Sequence, residues 1–185
     1  MGQIAIWGGS LLSWALVVLT SYALEQQWPQ WRGPHRDGQA PAVKLPSPLP
    51  KELEPQWQAE VGLGHSSPIV AGDKIYVLSR RGDNETVACL NLSTGKELWQ
   101  QAYAAPYQVH PAAASHGKGP KSTPLVADGR LFTLGISGIL TCWDARTGKQ
   151  FWQREFSKQF EKTSPLYGAA MSPVVDADKC IVHVG

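Results

Sequence analysis

Charge is scarce in this 185-residue chain: Asp, Glu, Lys and Arg make up 17%, against about a quarter in an ordinary globular domain. Seventeen Lys plus Arg offset 15 Asp plus Glu, leaving a formal net charge of +2. That balance excludes the strongly basic face that nucleic-acid binding needs, and it excludes a charge-rich disordered chain. Cysteine is rare too. Cys89, Cys142 and Cys180 form neither a disulfide framework nor a metal-ligand spacing, and they read as small buried hydrophobes on strands. Helical periodicity is missing: from Trp57 onward no stretch of about 12 residues repeats its apolar positions every 3.6. With 18 Gly and 14 Pro, a long coiled coil is excluded as well.

What is present is tryptophan, eight of them, and a distinct N-terminus. Met1 to Leu24 carries no charged side chain, and Leu11 to Leu19 is a compact apolar run. Ser21-Tyr22-Ala23 places small residues where a signal peptidase reads, so residues 1–23 are expected to be an export signal. An uncleaved membrane anchor is the alternative, since about 20 uncharged residues can span a bilayer. No cysteine precedes Cys89, which leaves no acceptor for an N-terminal lipid. Either way the remainder is expected to be exported, periplasmic or extracellular.

Residues 24–56 read as a Pro-rich extended lead-in. They open with Trp28-Pro29-Gln30-Trp31-Arg32-Gly33-Pro34 and continue through Pro41, Pro46, Pro48, Pro50 and Pro55. Proline at that density forbids helix and central strand. The two indoles predict that the start of the segment is docked.

Residues 57–185 are self-similar. Ser67-Pro68-Ile69-Val70-Ala71-Gly72-Asp73-Lys74 recurs as Thr123-Pro124-Leu125-Val126-Ala127-Asp128-Gly129-Arg130 and again as Ser172-Pro173-Val174-Val175-Asp176-Ala177-Asp178-Lys179. A second block, Cys89-Leu90-Asn91-Leu92-Ser93-Thr94-Gly95-Lys96-Glu97-Leu98-Trp99, recurs from Cys142 to Trp152. A period of about 50 residues holding four short strands predicts an all-β chain, a β-propeller of four-stranded antiparallel blades. In the first blade the strands are expected at 66–70, 74–79, 86–91 and 97–103. About two and a half blades are present, and propellers close with about four to eight. The expectation is therefore an N-terminal part of a longer propeller, since an open stack leaves unpaired strand edges.

The Asp144-x-x-Thr147-Gly148-Lys149-x-x-Trp152 spacing, with Asn91 replacing the Asp in the first copy, resembles the repeat of pyrroloquinoline-quinone (PQQ) type β-propellers. The Trp28 to Pro34 cluster is similar to the start of exported bacterial members. The resemblance implies that Trp99 and Trp152 dock on glycine turns of neighbouring blades, with Gly95 and Gly148 as platforms. It permits three functions: a non-catalytic binding or scaffolding module, which is favoured; a PQQ-dependent alcohol or sugar dehydrogenase; and an outer-membrane protein assembly scaffold. Only the dehydrogenase would bring PQQ and calcium, and it often carries an adjacent-cysteine disulfide that this chain lacks.

Within the blades, the A-to-B and C-to-D turns are expected to be tight and the B-to-C and D-to-A connections longer. The stretches 104–121 and 157–171 are long D-to-A connections, and such loops carry function more often than short ones. His110, His116, Lys118, Lys121 and Tyr167 are the candidate ligand-binding residues on this rim, with Tyr103, Tyr107, His65 and Arg81 beside them. Cationic and aromatic side chains there suit an anionic planar ligand or a protein partner. No catalytic residue and no metal ligand can be assigned.

Overall fold

The computed structural model describes residues 27–40, 47–48, 50–52, 54–160 and 165–185. The export signal expected at 1–23 lies outside these residues. Among the described residues no helix is long and apolar enough to cross a membrane.

The first blade is an antiparallel sheet of β1 (Ile69–Ala71), β2 (Lys74–Arg81), β3 (Asn84–Asn91) and β4 (Glu97–Ala104), in that order. The second repeats it with β5 (Leu125–Ala127), β6 (Arg130–Leu134), β7 (Ile139–Asp144) and β8 (Gln150–Glu155). A third unit begins with the hairpin β9 (Val174–Asp176) and β10 (Lys179–Ile181). The fold is an all-β propeller of four-stranded antiparallel blades. The first strand of each blade is only three residues long and starts after the Ser/Thr-Pro pair, because proline cannot donate to the ladder.

Turn chemistry sets the register. Asp128 and Gly129 both adopt positive φ, 49° and 72°, as a two-residue hairpin of the favoured hand requires. In the other two copies only the first turn residue does so, Gly72 at 63° and Ala177 at 50°. One expectation is corrected. The B-to-C connections are tight, not long: Gly82 (φ 60°) and Asp83 join β2 to β3, and residues 135–138 join β6 to β7. Only the D-to-A connections are long on that side.

Burial follows blade geometry. Both faces of β2 and β3 are covered, whereas the outermost strands β4 and β8 are largely exposed. The core is formed between blades: Ile69, Tyr76, Leu78, Val87 and Cys89 of the first pack with Leu131, Trp143 and Ala145 of the second. Each aliphatic side chain so buried contributes roughly 1.5–3 kcal/mol.

The start of the lead-in crosses the innermost strands. Trp28 exchanges both backbone hydrogen bonds with Val70 of β1 (2.9 and 3.0 Å), and Val126 of β5 donates to the Pro29 carbonyl at 2.9 Å. Arg36 Nη1 donates to the carbonyl of Pro173, just before β9, at 3.2 Å. One short segment therefore touches all three units.

Candidate functional site

The repeat tryptophans lie between units. In the second C-to-D turn, Asp144 Oδ1 accepts from the Thr147 N–H at 2.8 Å, and Gly148 adopts φ 73°. The Trp99 ring of the preceding blade covers that glycine so closely that a Cβ there would lie 2.6 Å from it. The Trp99 indole N–H donates to the Ala145 carbonyl at 3.2 Å. Asn91 does the work of Asp144 in the first turn, accepting from the Thr94 N–H at 3.0 Å. Gly95, at φ 68°, carries the ring of Trp57, whose N–H donates to the Leu92 carbonyl at 2.9 Å. Sequence reasoning missed Trp57. The available signal was the dipeptide Trp57-Gln58, which matches Trp99-Gln100 and Trp152-Gln153. Trp152 packs beside Phe132, with ring centroids 6.1 Å apart, and among the described residues no glycine lies under it.

A buried polar cluster joins the first two blades, and nothing in the sequence pattern announced it. Glu85 on β3 is fully buried opposite Arg80 on β2. Its Oε1 accepts from the Ile136 N–H at 2.8 Å and its Oε2 from the Tyr103 hydroxyl at 2.7 Å. Gly135 is required beside it, since a Cβ there would run into the carboxylate. Arg80 donates to the carbonyls of Ala105 (2.7 Å) and Gly82 (3.0 Å). Burial pushes the Glu85 carboxyl above its ordinary value, opposed by its two hydrogen bonds and by Arg80. Burial, then the Glu85 charge, holds the Tyr103 hydroxyl well above its usual range. Tyr103 thus faces inward and is not part of the rim.

Three connections converge on the long-loop side. His65 donates its backbone N–H to Pro120 at 2.8 Å, while its Nε2 meets the His116 carbonyl at 3.0 Å. The His116 ring stands edge-on to Tyr167, centroids 4.9 Å apart, and 6.4 Å from the His65 ring. The backbone N–H of Thr123 donates to Ser172 Oγ at 2.9 Å, and Gly168 fits against Ile136 and the Tyr107 hydroxyl. The structure therefore brings together His65, His116, Tyr167 and Tyr107. His110 is used locally: its Nδ1 accepts from Ala112 N at the start of the 3-10 helix Pro111–His116. Arg81 donates to the Glu60 carbonyl, Lys118 is exposed, and Lys121 is partly buried, which lowers its ammonium pKa. No hydrogen bond or ring contact joins His110, Lys118 or Lys121 to the His116–Tyr167 pair.

Chemically this rim presents flat rings and partly desolvated polar groups, which suits recognition. Among the described residues no three His, Cys, Asp or Glu side chains converge as a metal shell. The thiols are free, and burial pushes Cys89 and Cys180 to about 11 and Cys142 upward, so all three stay protonated at neutral pH.

A family model described as outer membrane protein assembly factor BamB matches residues 53–114 and 83–184. The assembly factor BamB of Aliivibrio fischeri is 29% identical over 102 residues, 55% of this chain and 25% of that protein. That of Yersinia pestis is 34% identical over 93 residues, 50% of this chain and 22% of that protein. The matched stretch thus spans about a quarter of the length of these curated relatives. The crystal structure of BamB from Moraxella catarrhalis overlays with a TM-score of 0.48 at 20% identity, covering 70% of this chain and 33% of that one. On the repeats matched from residue 53 to residue 184, the chain belongs to the PQQ-like β-propeller repeat family described as outer membrane protein assembly factor BamB.

Proposed function

We propose that this chain is an exported scaffold that takes part in outer-membrane protein assembly by holding a protein partner against its long-connection rim. The observation that carries this reading is the family match across both complete blades and into the third. The curated relatives are named as assembly factors. Fold by itself licenses no activity, so the rim supplies the physical support. His65, His116 and Tyr167 come from three separate connections that are hydrogen-bonded and packed together. Aromatic side chains held on a rigid base are what protein interfaces favour. The uncharged stretch at residues 1–23 agrees with export.

Site-specific photo-crosslinking in the native envelope tests this. A crosslinker at Tyr167 is expected to capture a membrane β-barrel protein or a component of its assembly machinery, and one at Asp128, on a short A-to-B turn, to capture neither. Equal capture from both positions, or none from Tyr167, overturns the reading. A calcium-dependent quinone absorbance with alcohol or sugar oxidation by the purified protein would replace it with the dehydrogenase alternative.

A further inference from the structure

The Trp-rich lead-in does more than dock. Its backbone is knotted by hydrogen bonds from Gly33 N to the Gln30 carbonyl (3.0 Å), Arg36 N to Gly33 (3.1 Å) and Gly38 N to Arg32 (2.9 Å). Trp28 packs on Gly33 from below, where a Cβ would lie 2.7 Å from its ring. On the outer side stands Trp31, which remains 43% exposed. The guanidinium carbons of Arg32 and Arg36 lie 5.5 and 5.6 Å from its ring centroid.

Three features of this trio need explaining. Both arginines adopt the left-handed conformation, φ 62° and 58°, which a side chain with a Cβ resists and glycine accepts freely. Two like charges are also gathered on one indole. Neither is neutralised: among the described residues neither forms an ion pair, and the nearby Asp37 carboxylate accepts from Gln39 N instead. Backbone carbonyls and a neutral amide hold the guanidiniums, through Arg32 Nη2 to Asp37 (2.9 Å) and Arg36 Nη1 to Gln30 Oε1 (3.1 Å) and Pro173. Those contacts fix each fork while leaving other N–H donors unused. Strained backbone and converging like charge are features expected where an opposite charge is to be received.

We infer that Trp31, Arg32 and Arg36 form a binding site for an acidic peptide segment of a partner protein. Each guanidinium can take a carboxylate through two parallel hydrogen bonds. The exposed part of the indole offers an apolar surface to the methylene stem of a Glu side chain, a feature an inorganic oxyanion lacks. Trp and Arg are also the residue types that dominate protein interfaces energetically. Because Arg36 reaches Pro173, the site lies at the end of the inner strands where a long connection arrives. The inference stands on this geometry and does not depend on the assembly reading.

Fluorescence polarisation of a fluorescein-labelled hexaglutamate peptide with the full chain is the test. Binding is expected at low salt, weakening steeply as salt is raised. Arg32→Gln with Arg36→Gln should weaken it at least about tenfold, the loss expected for a charge-assisted contact. Trp31→Ala should weaken it several-fold without touching any of the backbone bonds that dock the segment. Near-ultraviolet circular dichroism separates loss of binding from loss of docking. Arg146→Gln, on an exposed C-to-D turn, should bind as wild type. Failure of the wild type to bind hexaglutamate, or binding by the double and Trp31 variants as tight as the wild type's, overturns the inference. Binding of phosphatidylglycerol vesicles that depends on the arginines, with none of the peptide, would make this a lipid-headgroup site instead.

Discussion

Trp99 of the first blade lies against Gly148 of the second, with a would-be Cβ 2.6 Å from the ring and the indole N–H on Ala145. Gly129, in the same blade, has the same sign of φ (72°) and nothing within 4 Å of its would-be Cβ. The pair separates backbone strain from the blade contact. Gly129→Ala should cost about 1–2 kcal/mol, the left-handed penalty alone. Gly148→Ala adds overlap with the indole and should cost about 2–5 kcal/mol. Urea unfolding of both variants measures the difference, and equal losses would mean that the indole yields freely.

Trp57 makes the corresponding contact at the other side of the first blade, covering Gly95 and packing on Ile75, Val77, Ala88 and Leu90. Trp57→Ala should cost about 3 kcal/mol. Trp57→Phe keeps much of the packing, loses the hydrogen bond to Leu92, and should cost about 1 kcal/mol beyond what the smaller ring loses. Truncating Trp152 beside Phe132 should fall at about 3 kcal/mol as well.

Glu85 makes stability depend on pH with a defined sign. Its folded pKa is raised from the ordinary 4.5 because burial disfavours the carboxylate. The folded state then holds the proton more tightly than the unfolded chain, so this contribution is full below the unfolded value. It is lost as pH rises through the folded value. Glu85→Gln removes the titration while keeping an acceptor for Ile136. Wild type should therefore lose stability from pH 5 to pH 8 more steeply than the variant, as read by urea midpoints. Parallel slopes would place the titration elsewhere. Glu85→Ala, which leaves the Tyr103 hydroxyl and the Ile136 N–H without their acceptor, should cost about 2–4 kcal/mol.

The three cysteines give a simple readout. With Cys89 and Cys142 buried and the Cys89 and Cys180 thiols pushed to about 11, a thiol reagent at pH 8 should label the native chain slowly. Unfolding in guanidinium should release three rapidly reacting thiols.

The blades were legible because each strand and turn is announced locally. Ser/Thr-Pro marks the first strand, and Thr94-Gly95 and Thr147-Gly148 mark a turn with one left-handed residue. The family resemblance carried by that motif also implied that Trp99 packs outside its own blade. Trp57 was not legible from that motif, because no Thr-Gly-Lys precedes it and only the Trp-Gln pair betrays its role. Glu85 was hidden for a different reason. A carboxylate next to Asn84 at a strand entrance looks solvent-facing, and only the stacking of the next blade supplies Ile136 and removes water. The rim was half legible: loop length located it, but Tyr103 turned inward, and which side chains meet depends on packing among connections far apart in sequence.

The lead-in also fixes an order of events. Arg36 and Pro173 are separated by 137 residues, so their bond can close only after the intervening blades exist. Trp28 can pair with Val70 once the first blade is made, but the contacts of Pro29 with Val126 and of Arg36 with Pro173 must wait for the second and third units. Closing so large a loop is entropically unfavourable and is repaid only by contacts that form together. The lead-in is thus fully seated only when all three units are present, and its complete docking reports that three successive units have assembled in register.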